Sequence, residues 1–253
     1  MKYVRFSKGA IIGFGILEQD VVRCLDGDFL QHANLTGETF SIEEVRLLAP
    51  VCGGKIIAAG LNYKSHVSEL SQCATLDFPT FFVKLPHTVI GQHDAILYPE
   101  VSSRVDYEAE LAIVIGQDCY HASEAEAGFA IFGYTCLNDV TARDLQQKDG
   151  QWTRCKNFES FCPIGPCVET DIDENGLNIT TTVNGSVVQR GNTRDMIFPP
   201  IRLVQLISEV IPLKRGDVVS TGTPGGIGPM VAGDVVEVFI EGIGKLRNIV
   251  VKR

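Results

Sequence analysis

The stretch VDYEAELAIVIG, residues 105–116, constrains the fold more than any other part of the sequence. It is rich in aliphatic residues, as a buried strand is, yet it carries Glu108 and Glu110. Because side chains alternate between the two faces of a strand, both glutamates should lie on one face, about 6 to 7 Å apart along the strand. The other face should then be formed by Ala109, Leu111, Ile113 and Ile115.

Short apolar runs separated by turn residues occupy most of the chain. In ITTTVNGSVVQRG, Asn184 and Gly185 predict a hairpin with a two-residue type I′ turn. Helical spacing is rare by comparison. It is seen in FPPIRLVQLISEVIP, and a short helix is also expected near residues 42–47. Strands dominate, so the sequence predicts an α+β fold with an antiparallel or mixed sheet.

The predicted helix in FPPIRLVQLISEVIP is bounded by prolines. The residues expected on its apolar face are Leu203, Leu206, Ile207 and Val210.

Two parts of the chain differ in organisation. Residues 1–50 consist of short strands joined by polar turns, which predicts a small β-rich N-terminal domain. Residues 51–253 contain the longer apolar strands and all the candidate site residues, and are predicted to form the main domain.

Composition excludes several classes of protein. With 22 basic and 31 acidic residues the formal net charge is −9, and no Lys/Arg cluster is present, so nucleic acid is not an expected partner. No apolar run approaches the roughly 18 to 20 residues that cross a bilayer. The N-terminus lacks a signal-peptide cleavage site, and the eight cysteines form no CxxC pair. A cytoplasmic protein with reduced thiols is expected.

Three carboxylates are candidates for a metal site. Asp139 ends a predicted strand about thirty residues after Glu108 and Glu110. Oxygen ligands of this kind suit Mg²⁺ or Mn²⁺ better than Zn²⁺. On spacing alone, an exposed sheet face with surface ion pairs is the favoured alternative.

Other candidates lie on predicted helices and loops. His66 and Glu69 are three residues apart, so they share a helix face, and a carboxylate can orient an imidazole that takes a proton from water. Arg143 and Gln146 form a similar pair after Asp139. Taken alone, a surface pair is the favoured interpretation of His66 and Glu69, and Arg143 and Gln146 could equally be solvated side chains.

Two further features belong to this set. Lys156, in RCKNFESF, could stabilise negative charge on a substrate. Thr223 lies in the Gly-rich TGTPGGIGPM, which lacks the GK[ST] ending of a phosphate-binding P-loop.

Seven motifs occur together and in order between residues 55 and 251: GLNYKSHVSEL, FFVKLP, VDYEAELAIVIG, GYTCLNDVTARDLQ, KNFESFCPIGP, VNGSVVQRGNTRDMIF and TGTPGGIGPM. Taken together they closely resemble the fumarylacetoacetate hydrolase family. The resemblance implies a mixed β-roll with a small N-terminal domain, and identifies residues 51–253 as the catalytic domain.

The resemblance also implies roles for individual residues. The metal ligands would be Glu108, Glu110 and Asp139, binding one Mg²⁺ or Mn²⁺ per subunit, with Ca²⁺ as a substitute. The catalytic residues would be His66, Glu69 and Lys156. The substrate contacts would be Arg143, Gln146, Thr223, Gln189 and Lys84.

Two positions depart from the pattern of the family. Glu159 and Ser160 stand where many relatives have Asp-Thr, and His87 replaces a residue that is commonly small. Both positions are candidates for the pocket lining, so they bear on substrate identity.

The resemblance implies an enzyme that acts on a 2-oxo acid through an enolate that a bound metal stabilises. The resemblance therefore implies C–C hydrolysis of an acylpyruvate such as fumarylpyruvate, or isomerisation of a 2-hydroxyhepta-2,4-diene-1,7-dioate-type diacid in aromatic catabolism. The alternatives are an oxaloacetate decarboxylase or tautomerase, and a catalytically silent metabolite-binding protein. A homodimer is the expected assembly.

Overall fold

The computed structural model describes residues 1–69 and 77–253, with residue 69 described for its main chain only. Short strands follow one another along this part of the chain, as the turn-rich sequence predicts. The strands are β1 Lys2–Lys8, β2 Ile11–Glu18, β3 Val21–Leu25, β4 Leu35–Ser41, β5 Arg46–Leu48, β6 Ile56–Gly60, β7 Thr80–Lys84, β8 Val89–Ile90, β9 Ala95–Tyr98, β10 Val105–Tyr107, β11 Ala109–Ile115, β12 Ile131–Asn138, β13 Thr141–Ala142, β14 Cys162–Glu169, β15 Asn178–Val183, β16 Ser186–Asn192, β17 Val218–Ser220, β18 Gly228–Met230, β19 Val235–Ile240 and β20 Gly244–Lys252.

The helices are short by comparison. They are α1 Lys64–Glu69, α2 Glu124–Ala130, α3 Arg143–Asp149, α4 Thr153–Lys156 and α5 Pro200–Ser208, with single 3-10 turns at Ile42–Glu44, Pro86–Thr88 and Thr193–Asp195. Within residues 1–69 and 77–253 there is no helix long and apolar enough to span a bilayer.

The described strands form three sheets. The largest has the order β4-β3-β2-β1-β14-β12-β11-β17-β6-β7, with β5 and β8 attached at its side, and the others are β13-β10-β18 and β16-β15-β19-β20-β9. Most neighbours are antiparallel, but three pairs are parallel: β17 with β6, β20 with β9, and β14 with β8. The predicted strand-rich α+β fold with mixed sheets is confirmed.

Strand β11 lies inside the large sheet between β12 and β17 and is buried along its whole length. The face predicted to be apolar, with Leu111, Ile113 and Ile115, packs in one hydrophobic core, while Ala112 and Val114 pack in a second core on the opposite face. Each large aliphatic side chain buried in this way stabilises the fold by about 1.5 to 3 kcal/mol. The strand is thereby held rigidly on both sides.

The prediction of a single strand over residues 105–116 is wrong in one respect. The chain leaves the regular strand geometry at Glu108, so that β10 pairs with β13 and β18, whereas β11 pairs with β12 and β17. Glu108 therefore lies where the chain passes from one sheet to another.

The hairpin prediction is confirmed. Strands β15 and β16 are joined by Asn184 and Gly185, with φ angles of 51° and 80°. Positive φ at both positions defines the type I′ turn and favours Asn followed by Gly.

The predicted helices are confirmed in part. Leu203, Leu206 and Ile207 are buried on α5, but Val210 lies beyond the helix end and is 56% exposed. The helix expected at residues 42–47 is limited to one 3-10 turn, because the chain enters β5 at Arg46. The division into domains at residues 1–50 and 51–253 stays a prediction.

Candidate active site

Three carboxylates meet where β10, β11 and β12 come together. Glu110 lies in β11, and Asp139 directly follows the antiparallel β12, so its main-chain N–H donates to the carbonyl oxygen of Glu108 at 2.9 Å. The three side chains each place a carboxylate oxygen within 4.8 Å of the others, and all three are at most 4% exposed. The alternative of surface ion pairs is therefore wrong.

Polar groups hold the main chain of Glu108 and the carboxylate of Glu110 in place. The Glu108 main-chain N–H donates to Oδ1 of Asn138 at 2.9 Å. Glu110 Oε2 accepts from the Ser220 hydroxyl at 2.5 Å and from the Gly222 N–H at 2.9 Å. Hydrogen bonds to the strand β17 and its following turn thus orient Glu110 toward the other carboxylates.

Three buried cations compensate the negative charge. Lys156 Nζ donates to Glu108 Oε2 at 2.8 Å and also to Asp139, and Lys84 Nζ donates to Asp139 Oδ1 at 2.5 Å. The Arg143 guanidinium donates to Glu108. An ionised carboxylate in the protein interior requires this kind of pairing.

The carboxylates have different pKa values because their neighbours differ. Burial raises the pKa of Glu108, but the charges of Lys156 and Arg143 outweigh burial and hold that pKa well below its usual range. Burial, reinforced by the charges of Asp139 and Glu108, raises the pKa of Glu110 well above its usual range. Within this cluster Glu110 is the carboxylate least compensated by cations.

A cavity of about 270 Å³ opens onto the carboxylates. Helix α1 contributes His66, α3 contributes Arg143 and Gln146, and α4 contributes Lys156. The predicted site residues that line this cavity are His66, Glu108, Glu110, Asp139, Arg143, Gln146, Lys156 and Thr223. Segments that are distant in sequence therefore converge on one pocket only in the folded chain.

Two predicted substrate contacts lie behind the cavity wall. Gln189 is 2% exposed, and its Nε2 donates to the Thr223 hydroxyl at 2.8 Å and to the Pro224 carbonyl at 2.9 Å. Lys84 is fully buried, and its ammonium also donates to the Lys156 carbonyl at 2.8 Å. In this geometry Gln189 positions Thr223, and Lys84 positions Asp139.

His66 is 6% exposed and lies close enough to the carboxylates that a proton on its imidazole would lower the pKa of Glu108. The predicted partner of His66, the Glu69 side chain, lies outside the described residues. The pairing of His66 with Glu69 stays a prediction.

Asp106 was not predicted from the sequence. It is fully buried and bridges two guanidinium groups, accepting from Arg143 Nε at 2.9 Å and from Arg104 Nε at 2.8 Å. It therefore holds the Arg143 side chain at the cavity. Its spacing was a usable signal, since Asp106, Glu108 and Glu110 follow one another at intervals of two.

The positions that depart from the family pattern lie away from this pocket. Neither His87 nor Glu159 nor Ser160 is among the residues that line the cavity in the described structure. His87 contacts the Asn157 carbonyl through Nε2 at 3.0 Å, and the Ser160 hydroxyl accepts from the Leu97 N–H at 2.7 Å. His87, Glu159 and Ser160 can therefore affect the structure around the cavity without contributing to its lining.

The donor set fits a hard divalent cation. Three buried carboxylates within 4.8 Å of one another offer oxygen ligands only, and the adjoining cavity leaves room for further oxygen ligands. This buried acidic cluster could hold a metal ion. Fold and site together define a strand-rich protein with a carboxylate centre beside a cationic pocket.

Comparison with known proteins places this combination in a family. A profile described as "Fumarylacetoacetate (FAA) hydrolase C-terminal" matches residues 55–251, and one described as "Rv2993c-like, N-terminal" matches residues 1–50. The chain belongs to the fumarylacetoacetate hydrolase family, and it is an enzyme of that family.

Individual relatives carry several activities. A solved structure described as 5-carboxymethyl-2-hydroxymuconate delta-isomerase from Mycobacterium smegmatis is 40% identical, with a TM-score of 0.94 over 100% of both chains. This similarity confirms the family-type fold. The 2,4-didehydro-3-deoxy-L-rhamnonate hydrolase of Sphingomonas is 40% identical over 81% of this chain and 76% of its own. Oxaloacetate tautomerase YisK of Bacillus subtilis is 36% identical over 90% of this chain and 85% of its own.

Proposed function

We propose that this protein is a Mg²⁺- or Mn²⁺-dependent enzyme that acts on a 2-oxo acid. The leading reactions are C–C hydrolysis of an acylpyruvate and isomerisation of a 2-hydroxyhepta-2,4-diene-1,7-dioate-type diacid. The observation that supports this most is the buried carboxylate cluster, which opens into a cavity shared by His66, Arg143 and Lys156. The cavity can hold an anionic substrate beside a divalent cation and a general base.

Glu108, Glu110 and Asp139 would hold the cation. When bound, it would supply Lewis-acid chemistry to the carboxylate and 2-oxo oxygens of the substrate. Lys156 and Arg143 lie beside these carboxylates and can balance the negative charge that develops at the 2-oxo end. Thr223, oriented by Gln189, offers a hydroxyl to a substrate oxygen.

In the hydrolytic reaction His66 would take a proton from water. The resulting hydroxide adds to the acyl carbonyl, and the bond between that carbon and C3 of the pyruvate unit breaks. The bonding electron pair stays on the pyruvate unit, which takes up a proton and leaves as pyruvate beside the released carboxylic acid. Lys156 and Arg143 lower the cost of the negative charge while it exists.

Tautomerisation or decarboxylation of oxaloacetate is the second candidate. It is supported by the likeness to oxaloacetate tautomerase YisK over most of both chains. A silent metabolite-binding protein is a weaker candidate, because binding alone does not require the buried imidazole of His66 in the cavity. We expect the protein to be cytoplasmic and to form a homodimer.

The proposal is tested by a panel of acylpyruvates, hydroxymuconate-type diacids and oxaloacetate. We expect turnover of at least one class with Mg²⁺ or Mn²⁺, and its loss on treatment with a chelator, read as pyruvate release, CO₂ release or the ultraviolet signal of the tautomers. Absence of metal-dependent turnover across the whole panel would refute the proposed function.

Replacing His66 with alanine should separate the candidate reactions. Hydrolysis should fall by roughly 10² to 10⁴-fold, the usual contribution of a general base, whereas decarboxylation of oxaloacetate should fall far less, because it needs no activated water. The measurement is kcat/KM for an acylpyruvate and for oxaloacetate in the same preparation. His87→Ala is a matched control, because His87 lies outside the cavity. Equal losses in both reactions would argue against the assigned role.

A further inference from the structure

The one tryptophan of the chain lies in the wall of the cavity that holds the carboxylates. Trp152 directly precedes α4, and its carbonyl oxygen accepts from the Lys156 N–H at 3.2 Å. The indole and the Lys156 ammonium are thus carried by the same turn of chain. Trp152 is half-buried, so part of its ring is accessible from the cavity.

Two neighbours determine where the indole lies. The Phe82 ring meets it edge to face, with centroids 5.2 Å apart and an angle of 80° between the planes. On another side the indole rests against Gly60, where a Cβ atom would come within 2.4 Å of the ring. Any larger residue at position 60 would push the indole away, so glycine is required there for space.

The cavity therefore has two chemically different parts. One part carries the carboxylates and their cations. The other part, the aromatic wall, consists of Ala59, Gly60, Leu61, Phe82 and Trp152. The Lys156 ammonium lies over the Phe82 ring, 5.0 Å from its centroid, so the two parts of the cavity meet at this pair.

The two ends of a 2-oxo acid have different requirements, and these match the two parts of the cavity. Its carboxylate and 2-oxo group need cationic partners, which only the first part of the cavity supplies. The remainder of the molecule is left to contact the rest of the lining, in which the aromatic wall is the apolar surface. An aromatic face favours flat, apolar or conjugated groups and disfavours a compact anion, because the face of the ring carries partial negative charge.

On the basis of the proposed function, we propose that Trp152, backed by Phe82 and seated on Gly60, is a specificity-determining residue. It contacts the part of the substrate beyond the 2-oxo acid end and selects planar, apolar or conjugated carbon segments over short diacids. Oxaloacetate, which lacks such a segment, would make no use of this wall.

Trp152 can report on its own contact, because its emission is the only tryptophan emission of the protein. Acrylamide quenching is measured with saturating Mg²⁺ and either oxalate or 2-oxo-4-phenylbutanoate, which lacks the second carbonyl that C–C hydrolysis attacks, and calorimetry establishes that each acid is bound. A ligand that covers the indole should lower the quenching constant by at least about twofold, since such sites bury most of the ligand surface. Oxalate, which represents the 2-oxo acid end alone, should leave the constant unchanged.

Substitution gives an independent measurement. Trp152→Ala should weaken binding of 2-oxo-4-phenylbutanoate by about tenfold or more, the range for losing an apolar contact in a specificity pocket, with oxalate affinity unaltered. Trp152→Phe should restore most of the affinity because it keeps a ring. Gly60→Ala should act like Trp152→Ala, because it displaces the indole without removing it.

The outcomes test the role of the aromatic wall separately from the proposed function. An unchanged quenching constant with the phenyl compound bound would overturn the role of Trp152, even if the enzyme turns over 2-oxo acids. Equal weakening of oxalate and the phenyl compound in Trp152→Ala would also overturn it. If the phenyl compound protects Trp152 from acrylamide but the protein turns over no 2-oxo acid, the role of the aromatic wall is supported and the proposed function is refuted. If Trp152→Ala does not fold, the quenching of the unaltered protein still decides.

Discussion

Glu110→Gln should abolish the binding of Mg²⁺ and Mn²⁺ and reduce metal-dependent turnover by at least about 10³-fold, as expected when a Lewis acid worth several kcal/mol is lost. Glu110 is the carboxylate with the fewest cationic partners, so a divalent cation gains most from it. Glutamine has the same shape and can still accept from Ser220 and Gly222, but it is neutral and a weak ligand.

The metal-free Glu110→Gln protein should be as stable as the unaltered protein or more so. Burial and the negative charges of Asp139 and Glu108 raise the pKa of Glu110, so above the ordinary carboxyl pKa this residue costs the folded state stability, and the neutral amide of glutamine avoids that cost. The distinguishing measurement is the rise in Tm on adding Mg²⁺, which should vanish in this variant and persist in the exposed control Glu209→Gln. Turnover by Glu110→Gln that a chelator still removes would show that Glu110 is not a required ligand.

Lys156→Met should impair both catalysis and stability. Turnover should fall by roughly 10² to 10³-fold, the usual cost of losing one group that stabilises developing negative charge. Without metal, the free energy of unfolding should fall by about 3 kcal/mol or more, because Glu108 and Asp139 lose a shared partner inside the protein. Urea unfolding with and without saturating Mg²⁺ measures the second effect.

Mg²⁺ should return part of the stability lost in Lys156→Met, because a bound cation compensates the same carboxylates. Lys214→Met is a matched control, since Lys214 pairs with Asp118 at 2.8 Å where both side chains are more than half exposed. Exposed pairs contribute little to stability, so that variant should behave like the unaltered protein. Similar losses in both lysine variants would contradict the assignment of a buried charge cluster.

The buried cluster combines structural and chemical tasks. Arg143 joins Asp106 to Glu108, and Lys156 joins Glu108 to Asp139, so each of these two cations bridges two carboxylates. Such a network is expensive to bury and is destabilised when one partner of a buried ion pair is lost. The arrangement gives a cation site whose ligands are oriented before the cation arrives.

Much of the local structure could be predicted from sequence because it depends on neighbours along the chain. Alternation in β11 correctly predicted which residues share a face, and Asn184-Gly185 correctly predicted the hairpin. Val210 was wrongly placed on α5, because helical spacing continues past the point where the helix ends. Spacing also grouped Glu108 and Glu110, but it favoured a surface location for them.

Glu108 and Glu110 are buried and do not lie at the surface, and burial is a property of the whole fold. Packing on both faces of β11 puts the glutamates inside the protein, where isolated charges are too costly and partners become obligatory. Those partners, Arg143 and Lys156, come from helices that follow β12 in sequence. The folded chain is also needed to see that Lys84 and Gln189 lie behind the cavity.

The strand-rich fold, the candidate carboxylates and the family to which the ordered motifs belong could all be established from the amino-acid sequence. They depend on residue type, local spacing and motif order, which are properties of a linear chain. The contacts of Asp106 and the aromatic wall around Trp152, Phe82 and Gly60 can be identified only in the folded structure. The wall joins residues far apart in the chain, and a close approach such as that of the indole to Gly60 leaves no periodic signal in the sequence.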